Sequence, residues 1–299
     1  MKTYTGAITF YQSLTNNVET ANTTLGADLI NSFIRKYCVS NGGKWWFLEK
    51  VTTQSTVASQ QAYTIPQSTR KIVDLYVTVG TTVYSPIAVE DPALWKRILQ
   101  SQLGTSDRAE FYYRQGSQVL LAPTPGSSGN TITIRTRREV VDLRNADYTT
   151  GTVSATLAST GIVGSGTTFT SAMVGRYINL TSGDGQWYEI SAFTDTTHIT
   201  LNAPYEGATV SGSSFTLGES SILPISYHEM PIYDAAAVYW ATEDSNRSRM
   251  FKEIADGLYE GMLTEAGEKT EGAYMLPVDN LVFRDPNVPE PTVNTSSFT

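Results

Sequence analysis

The chain has 299 residues, 40% of them hydrophobic and 17% charged, a slightly charge-poor globular composition that suits one large domain or two smaller ones. Its single cysteine, Cys38, excludes an internal disulfide and most cysteine-based metal sites. The net charge of −8 is uneven: 14 acidic and 5 basic residues lie from Glu219 onward, against 15 and 16 before it, which argues against tight nonspecific duplex binding.

The first residues carry no apolar run of signal-peptide length, and no stretch approaches a membrane span, so synthesis in a cytosol without membrane insertion is expected. Leu25, Leu29, Ile30, Phe33, Ile34 and Tyr37 share one face of a helix running to Val39, with Asn22 or Thr23 as its cap and Asn41-Gly42-Gly43 as its stop. Strand-like runs follow at Lys44–Thr53, Ala62–Ile65, Ile72–Val79 and Val83–Ile87. Asp91-Pro92 opens a second helix through Leu94, Trp95, Ile98 and Leu99. Strands resume at Phe111–Arg114, Val119–Ala122 and Thr131–Arg137.

Near Thr149 the composition turns rich in Thr, Ser and Gly and stays so to Gly218. Strands are expected at Tyr177–Leu180, Trp187–Phe193 and His198–Leu201, with a hairpin turn at Gly183-Asp184-Gly185. Residues 149–218 read as a small β-barrel or sandwich inserted into an α+β host of residues 1–148 and 219–269. Residues 270–299 lack periodicity, and the prolines at 286, 289 and 291 favour an extended C-terminal arm.

Between insert and arm lies a helical hairpin, Tyr227–Ala266. Its first half runs Tyr227-His228-Glu229-Met230-Pro231 into Ala235-Ala236-Ala237. Its second carries Met250, Phe251, Ile254, Leu258 and Met262 on one face. With the preceding Leu223-Pro224, this pairing resembles the C-terminal helices of head–tail connector (adaptor) proteins of tailed double-stranded DNA phages. The insert, with Gly164-Ser165-Gly166-Thr167-Thr168-Phe169, Gln186-Trp187-Tyr188-Glu189-Ile190 and Leu201-Asn202-Ala203-Pro204-Tyr205, is similar to a β module of phage virion proteins.

The resemblance implies a helical bundle with β-strands. It also implies a virion structural role: a closed ring, usually of twelve copies, that docks on the portal, extends the channel for double-stranded DNA and offers a surface to tail or nozzle proteins. Connectors of this kind dock through their C-terminal segments, which places Leu281, Val282, Phe283, Val288 and Pro289 at the portal. The basic cluster Arg135, Arg137, Arg138 and Arg144 could meet DNA phosphates, but the acidic final third of a neighbouring copy is an available partner, and the subunit contact is favoured.

No catalytic, cofactor or metal motif competes with that reading. Gly161–Thr168 misses the phosphate-loop pattern because Thr167 stands at the lysine position and no helix follows. His198 and His228 lack partners at metal-ligand spacing, and no nucleophile elbow exists. Cys38 reads as a small core residue, and Trp45-Trp46-Phe47 as core with one interface side chain. The alternative is a carbohydrate- or receptor-binding virion module using the insert, with Trp187 and Tyr188 as platform. A polymer hydrolase would need two carboxylates across a cleft, and no such pair stands out.

Overall fold

Apolar side chains three and four apart form the first helix of the computed structural model, which describes residues 1–66, 68–101 and 104–271. Helix α1 (Tyr4–Thr15) buries Ala7, Ile8, Tyr11 and Thr15, and the Thr3 hydroxyl caps it by accepting the Gly6 N–H. The sequence pattern gave no helix here. Thr9 and Thr15 bond their hydroxyls back to the carbonyls of Thr5 and Tyr11, so these polar β-branched residues fit the helix.

Helix α2 (Thr20–Val39) begins ahead of the expected caps and buries Asn22, Gly26, Ile30, Ile34, Tyr37 and Cys38. Asn22 lies inside it, accepting from the Tyr11 hydroxyl at 3.0 Å and donating to the Asn17 carbonyl at 2.8 Å. Leu25, expected on the buried face, is 47% exposed. At Gly26 a Cβ would stand 2.3 Å from the Tyr11 ring, so only glycine admits this approach of α1 to α2. Beyond α2, Trp45 is fully buried, donates its indole N–H to the Tyr37 carbonyl and stacks on Phe47. Trp46–Leu48 coil into a 3-10 turn, so the strand expected from Lys44 starts at Glu49.

Strands β1 (Glu49–Ser55), β2 (Ala62–Thr64), β3 (Thr69–Val79), β4 (Thr82–Tyr84), β5 (Ile87–Val89), β6 (Phe111–Gln115), β7 (Gln118–Ala122) and β8 (Thr131–Arg138) make two four-stranded sheets, ordered β1-β8-β3-β4 and β2-β7-β6-β5. Their facing sides share one core, including Leu75, Val77, Val119, Leu121, Ile132 and Ile134. Ser85-Pro86 divides the single strand expected over Val83–Ile87 into β4 and β5. Helix α3 (Pro92–Gln100) starts at Asp91, whose carboxylate accepts the Ala93 N–H at 2.8 Å. Trp95 stacks on Tyr113 and clusters with Val89 and Ala122, so α3 lies on the second sheet instead of joining the other helices as expected.

Strands β9 (Thr152–Ala155), β10 (Gly161–Ser165), β11 (Tyr177–Leu180), β12 (Tyr188–Asp195), β13 (His198–Leu201), β14 (Val210–Ser213) and β15 (Phe215–Gly218) form an antiparallel sheet ordered β14-β9-β10-β13-β12-β11-β15. Its two edge strands, β14 and β15, are separated in sequence by Ser214 alone. One residue cannot cross a flat seven-stranded sheet, so the sheet curls until its edges meet at that corner. Phe169, Ile178, Ile190, Leu201, Tyr205, Phe215 and Leu217 fill the inside.

The chain returns to helix with α4 (Met230–Trp240) and α5 (Ser245–Glu271), where the hairpin is expected. Two units are distinguished, Met1–Tyr259 and Glu260–Thr299, and of the second only the end of α5 is described. In the first, α1, α2 and α4 pack on one another, and Phe251 of α5 stacks on Tyr233 of α4. Asp234 of α4, 1% exposed, accepts the Tyr37 hydroxyl and pairs with Lys252 at 3.2 Å. The buried side of α5 carries Phe251, Ala255 and Met262, with Leu258 half-buried, while Met250 and Ile254 of the expected face are exposed, a partial rotation that brings in Ala255. Among the described residues, no helix is long and apolar enough to cross a membrane.

This rotation sets a test. Phe251→Ala should cost about 3–5 kcal/mol in urea unfolding. Ile254→Ala should stay within about 0.5 kcal/mol. Equal losses would return Ile254 to the core.

Candidate functional site

Three distant stretches converge where the seven-stranded sheet joins the rest of the first unit. The carboxylate of Glu219, one residue after β15, accepts the backbone N–H groups of Arg144 at 2.8 Å and Asn145 at 2.9 Å. It also accepts from the Asn145 side-chain amide and lies 3.5 Å from the Arg176 guanidinium. Burial alone would raise the Glu219 carboxyl, but these donors outweigh it and hold the group below its ordinary 4.5. The segments entering and leaving the sheet are further tied where Tyr148 and Leu217 exchange both backbone hydrogen bonds.

The start of the chain completes the joint. The Tyr4 N–H donates to the Glu219 carbonyl at 2.8 Å, and Thr3 pairs with Ser220 as an isolated bridge. The Thr3 hydroxyl donates to Asp147 at 2.7 Å, and the Asp147 N–H donates to the Thr5 hydroxyl at 2.9 Å. A Cβ at Gly218 would stand 2.4 Å from Asp147 Oδ1 and 2.7 Å from Thr3 Cγ2, so this crossing requires glycine. Beside the joint lies an open cleft of about 470 Å³ whose lining includes Arg138, Tyr177, Trp187, Ile225 and His228. Its walls mix charged, aromatic and aliphatic side chains.

The predicted basic cluster divides by exposure. Arg135 and Arg137 do share a face of β8, but Arg137 is half-buried and 3.7 Å from Glu49. Arg138 turns inward and donates to the Phe47 carbonyl at 2.8 Å. Arg144 is exposed, 3.7 Å from Asp142, a carboxylate that also pairs with Arg35. Arg135 and Arg144 are the two members with exposed side chains. Leu281, Val282, Phe283, Val288 and Pro289 lie outside the described residues.

The remaining candidates are placed by simple chemistry. Cys38 is 1% exposed, and burial pushes its thiol up to about 12, far from a reactive thiolate. Gly161–Ser165 is strand β10, and in the loop after it the Thr167 hydroxyl donates to the Thr196 carbonyl, so this segment is not a phosphate cradle. Tyr188 is buried with its hydroxyl on Asp184, which removes it from the Trp187–Tyr188 platform. His198 is exposed beside Asp195, and the His198 ring, then the Thr197 N–H and hydroxyl, hold that carboxyl at about 2. Among the described residues, no group of three or more His, Cys, Asp or Glu could hold a metal ion.

Sequence reasoning missed Glu219, Asp147, Thr3 and Asp234. The first three join only through tertiary contact and have no local signature. Asp234 had one: a carboxylate inside the apolar run Ile232–Ala237 demands a buried partner.

The joint offers a pH test. Because the folded-state value of Glu219 is lowered, its stabilisation is present above about pH 4.5 and is lost as pH falls through the lowered value. Glu219→Gln should cost about 1–3 kcal/mol at pH 7 by chemical denaturation. The gap to the unmodified chain should narrow by pH 4, and an equal gap at both pH values would contradict the joint.

Comparison with known proteins gives one family. The family model described as SU10 adaptor protein matches residues 2–159, more than half of the chain. No curated protein matches.

Proposed function

The chain belongs to the SU10 adaptor protein family, a family of structural phage proteins, and from that premise we propose that it is the head-to-tail connector of a tailed phage. In this reading, identical subunits close into a ring, of twelve copies by resemblance, that docks on the portal, continues the channel through which double-stranded DNA leaves, and receives tail or nozzle proteins in the virion neck. The family match carries the reading. Matched residues 2–159 take in α1, α2, α3 and both four-stranded sheets.

The work of such a protein is assembly, with no bond made or broken. A ring needs two different surfaces on each subunit that meet head to tail and close by rotation. Exposed Arg135 and Arg144 suit a neighbour's acidic final third, while Arg137 and Arg138 hold the first sheet and the turn before it. α1, α2, α4 and the first half of α5 serve as the helical bundle of the host. Residues 149–218 serve as an inserted module. That division is supported by the seven-stranded sheet drawing every strand and nearly all of its core from this segment. Residues 270–299 serve as the portal-docking arm, with Leu281, Val282 and Phe283 as anchors and the prolines near Val288 and Pro289 lowering the entropy lost on docking.

Two deletions test the assignment. A chain with residues 149–218 replaced by a short linker should keep its helical circular dichroism and remain soluble; an unfolded product would end the module reading. A chain lacking residues 270–299 should keep its thermal midpoint and lose attachment to portal-bearing capsids. Normal attachment of that truncated chain would move the docking surface to the helical hairpin.

A further inference from the structure

We propose that His228 is a proton-released pin: in mild acid it lets residues 2–5 leave the joint and so loosens the attachment of the seven-stranded sheet. His228 lies just before α4 and is 4% exposed. Its Nε2 is 2.8 Å from the Leu223 carbonyl, which can only accept, so Nε2 carries the hydrogen. Its Nδ1 is 3.2 Å from the Lys2 amide nitrogen, which can only donate, so Nδ1 is bare. Both partners are backbone groups of fixed polarity. One neutral tautomer satisfies both, and no charged form does. A proton on Nδ1 would set two N–H groups against each other.

The surroundings do not offset that conflict. The Lys2 ammonium is engaged 3.4 Å from Glu229, and the Ser220 hydroxyl, 3.4 Å from Nδ1, is neutral and donates to the Lys2 carbonyl. Across the cleft that His228 lines stand Lys50 and Arg138 with Glu139 and Glu189, two charges of each sign. Burial first, and then the positive Met1 amino group, hold the ring below its ordinary 6.5 against the pull of the Leu223 carbonyl.

The sign follows from linkage. The closed joint holds a neutral ring, and a released ring returns to its ordinary value. Closure is fully favoured above about pH 6.5 and loses roughly tenfold per pH unit below it, until the lowered closed-state value is reached. What opens with it is the Lys2–Ser220 contact, the Thr3–Ser220 bridge and the Tyr4 bond to the Glu219 carbonyl. The inference rests on this geometry and holds for the chain whether or not it forms a ring.

The test is amide-hydrogen protection in the full chain, corrected for intrinsic exchange, at pH 7.5 and 5.0. The amides of Lys2, Tyr4 and Asp147 should lose protection at pH 5.0 relative to those of Ile132–Thr136 in β8. In His228→Gln that relative loss should vanish. No loss in the unmodified chain, or the same loss in the variant, would overturn the proposal. If the variant does not fold, nitrogen-resolved imidazole spectra of the unmodified chain decide. A His228 ring that leaves the Nε2–H tautomer in step with the lost protection supports the pin. A ring that titrates at or above 6.5, or without change in protection, overturns it.

Discussion

The carboxylate of Glu219 is the constraint on which the arrangement of the first unit turns. A seven-stranded sheet leaves the chain after residue 148 and returns at 218, and two connecting segments alone would let it swing. Glu219 removes that freedom by taking two backbone N–H groups from the outgoing segment, while its own backbone carbonyl takes the Tyr4 N–H from the start of the chain. Oriented backbone donors serve a half-buried carboxylate better than one mobile lysine would, because they are fixed before the charge arrives. Gly218 and Thr3 then pack so closely that no larger residue fits at 218.

A second acid, this one buried, does comparable work among the helices. Asp234 is shared by Tyr37 of α2 and Lys252 of α5, so one carboxylate fixes the relation of three helices. Burial and the Asp234 carboxylate together raise the Tyr37 phenol, which keeps it a donor. Burying such a group is seldom a net gain in stability over an apolar contact, but it admits one registry, and removing either partner leaves a charge or donor unmet. Asp234 thus ties α4 to both α2 and α5.

What could be read from the sequence was whatever depends on local period or turn chemistry. Asp91-Pro92 began α3, Asn41-Gly42-Gly43 ended α2 through left-handed backbone, and the alternation of Ile72–Val79 gave β3. Errors came where neighbours decide. Leu25 and Ile254 satisfy the apolar pattern yet face outward, since Gly26 against Tyr11 and Phe251 against Tyr233 set the helix rotation. Trp45 is in the core as read, but ahead of the strand drawn through it, where its indole N–H donates to the Tyr37 carbonyl and the strand starts only at Glu49. Of the four basic residues close in sequence, Arg137 pairs with Glu49 and Arg138 with the Phe47 carbonyl, while Arg135 and Arg144 stay exposed. The joint left no sequence signal, because its members come from residues 3–5, 144–148 and 218–220.

An adaptor acts through the surfaces it presents, and here Asp234 and Glu219, beyond the matched residues 2–159, each tie a later part of the chain back to that matched part. Rigid faces allow a subunit to meet a copy of itself at a fixed rotation, which is what closing a ring requires. The most direct measurement is averaged electron microscopy of the chain mixed with the portal rings of its own phage. The account expects a second closed ring stacked on the portal and sharing its axis. Bare portals beside free monomers, at concentrations that saturate assembly, would contradict it.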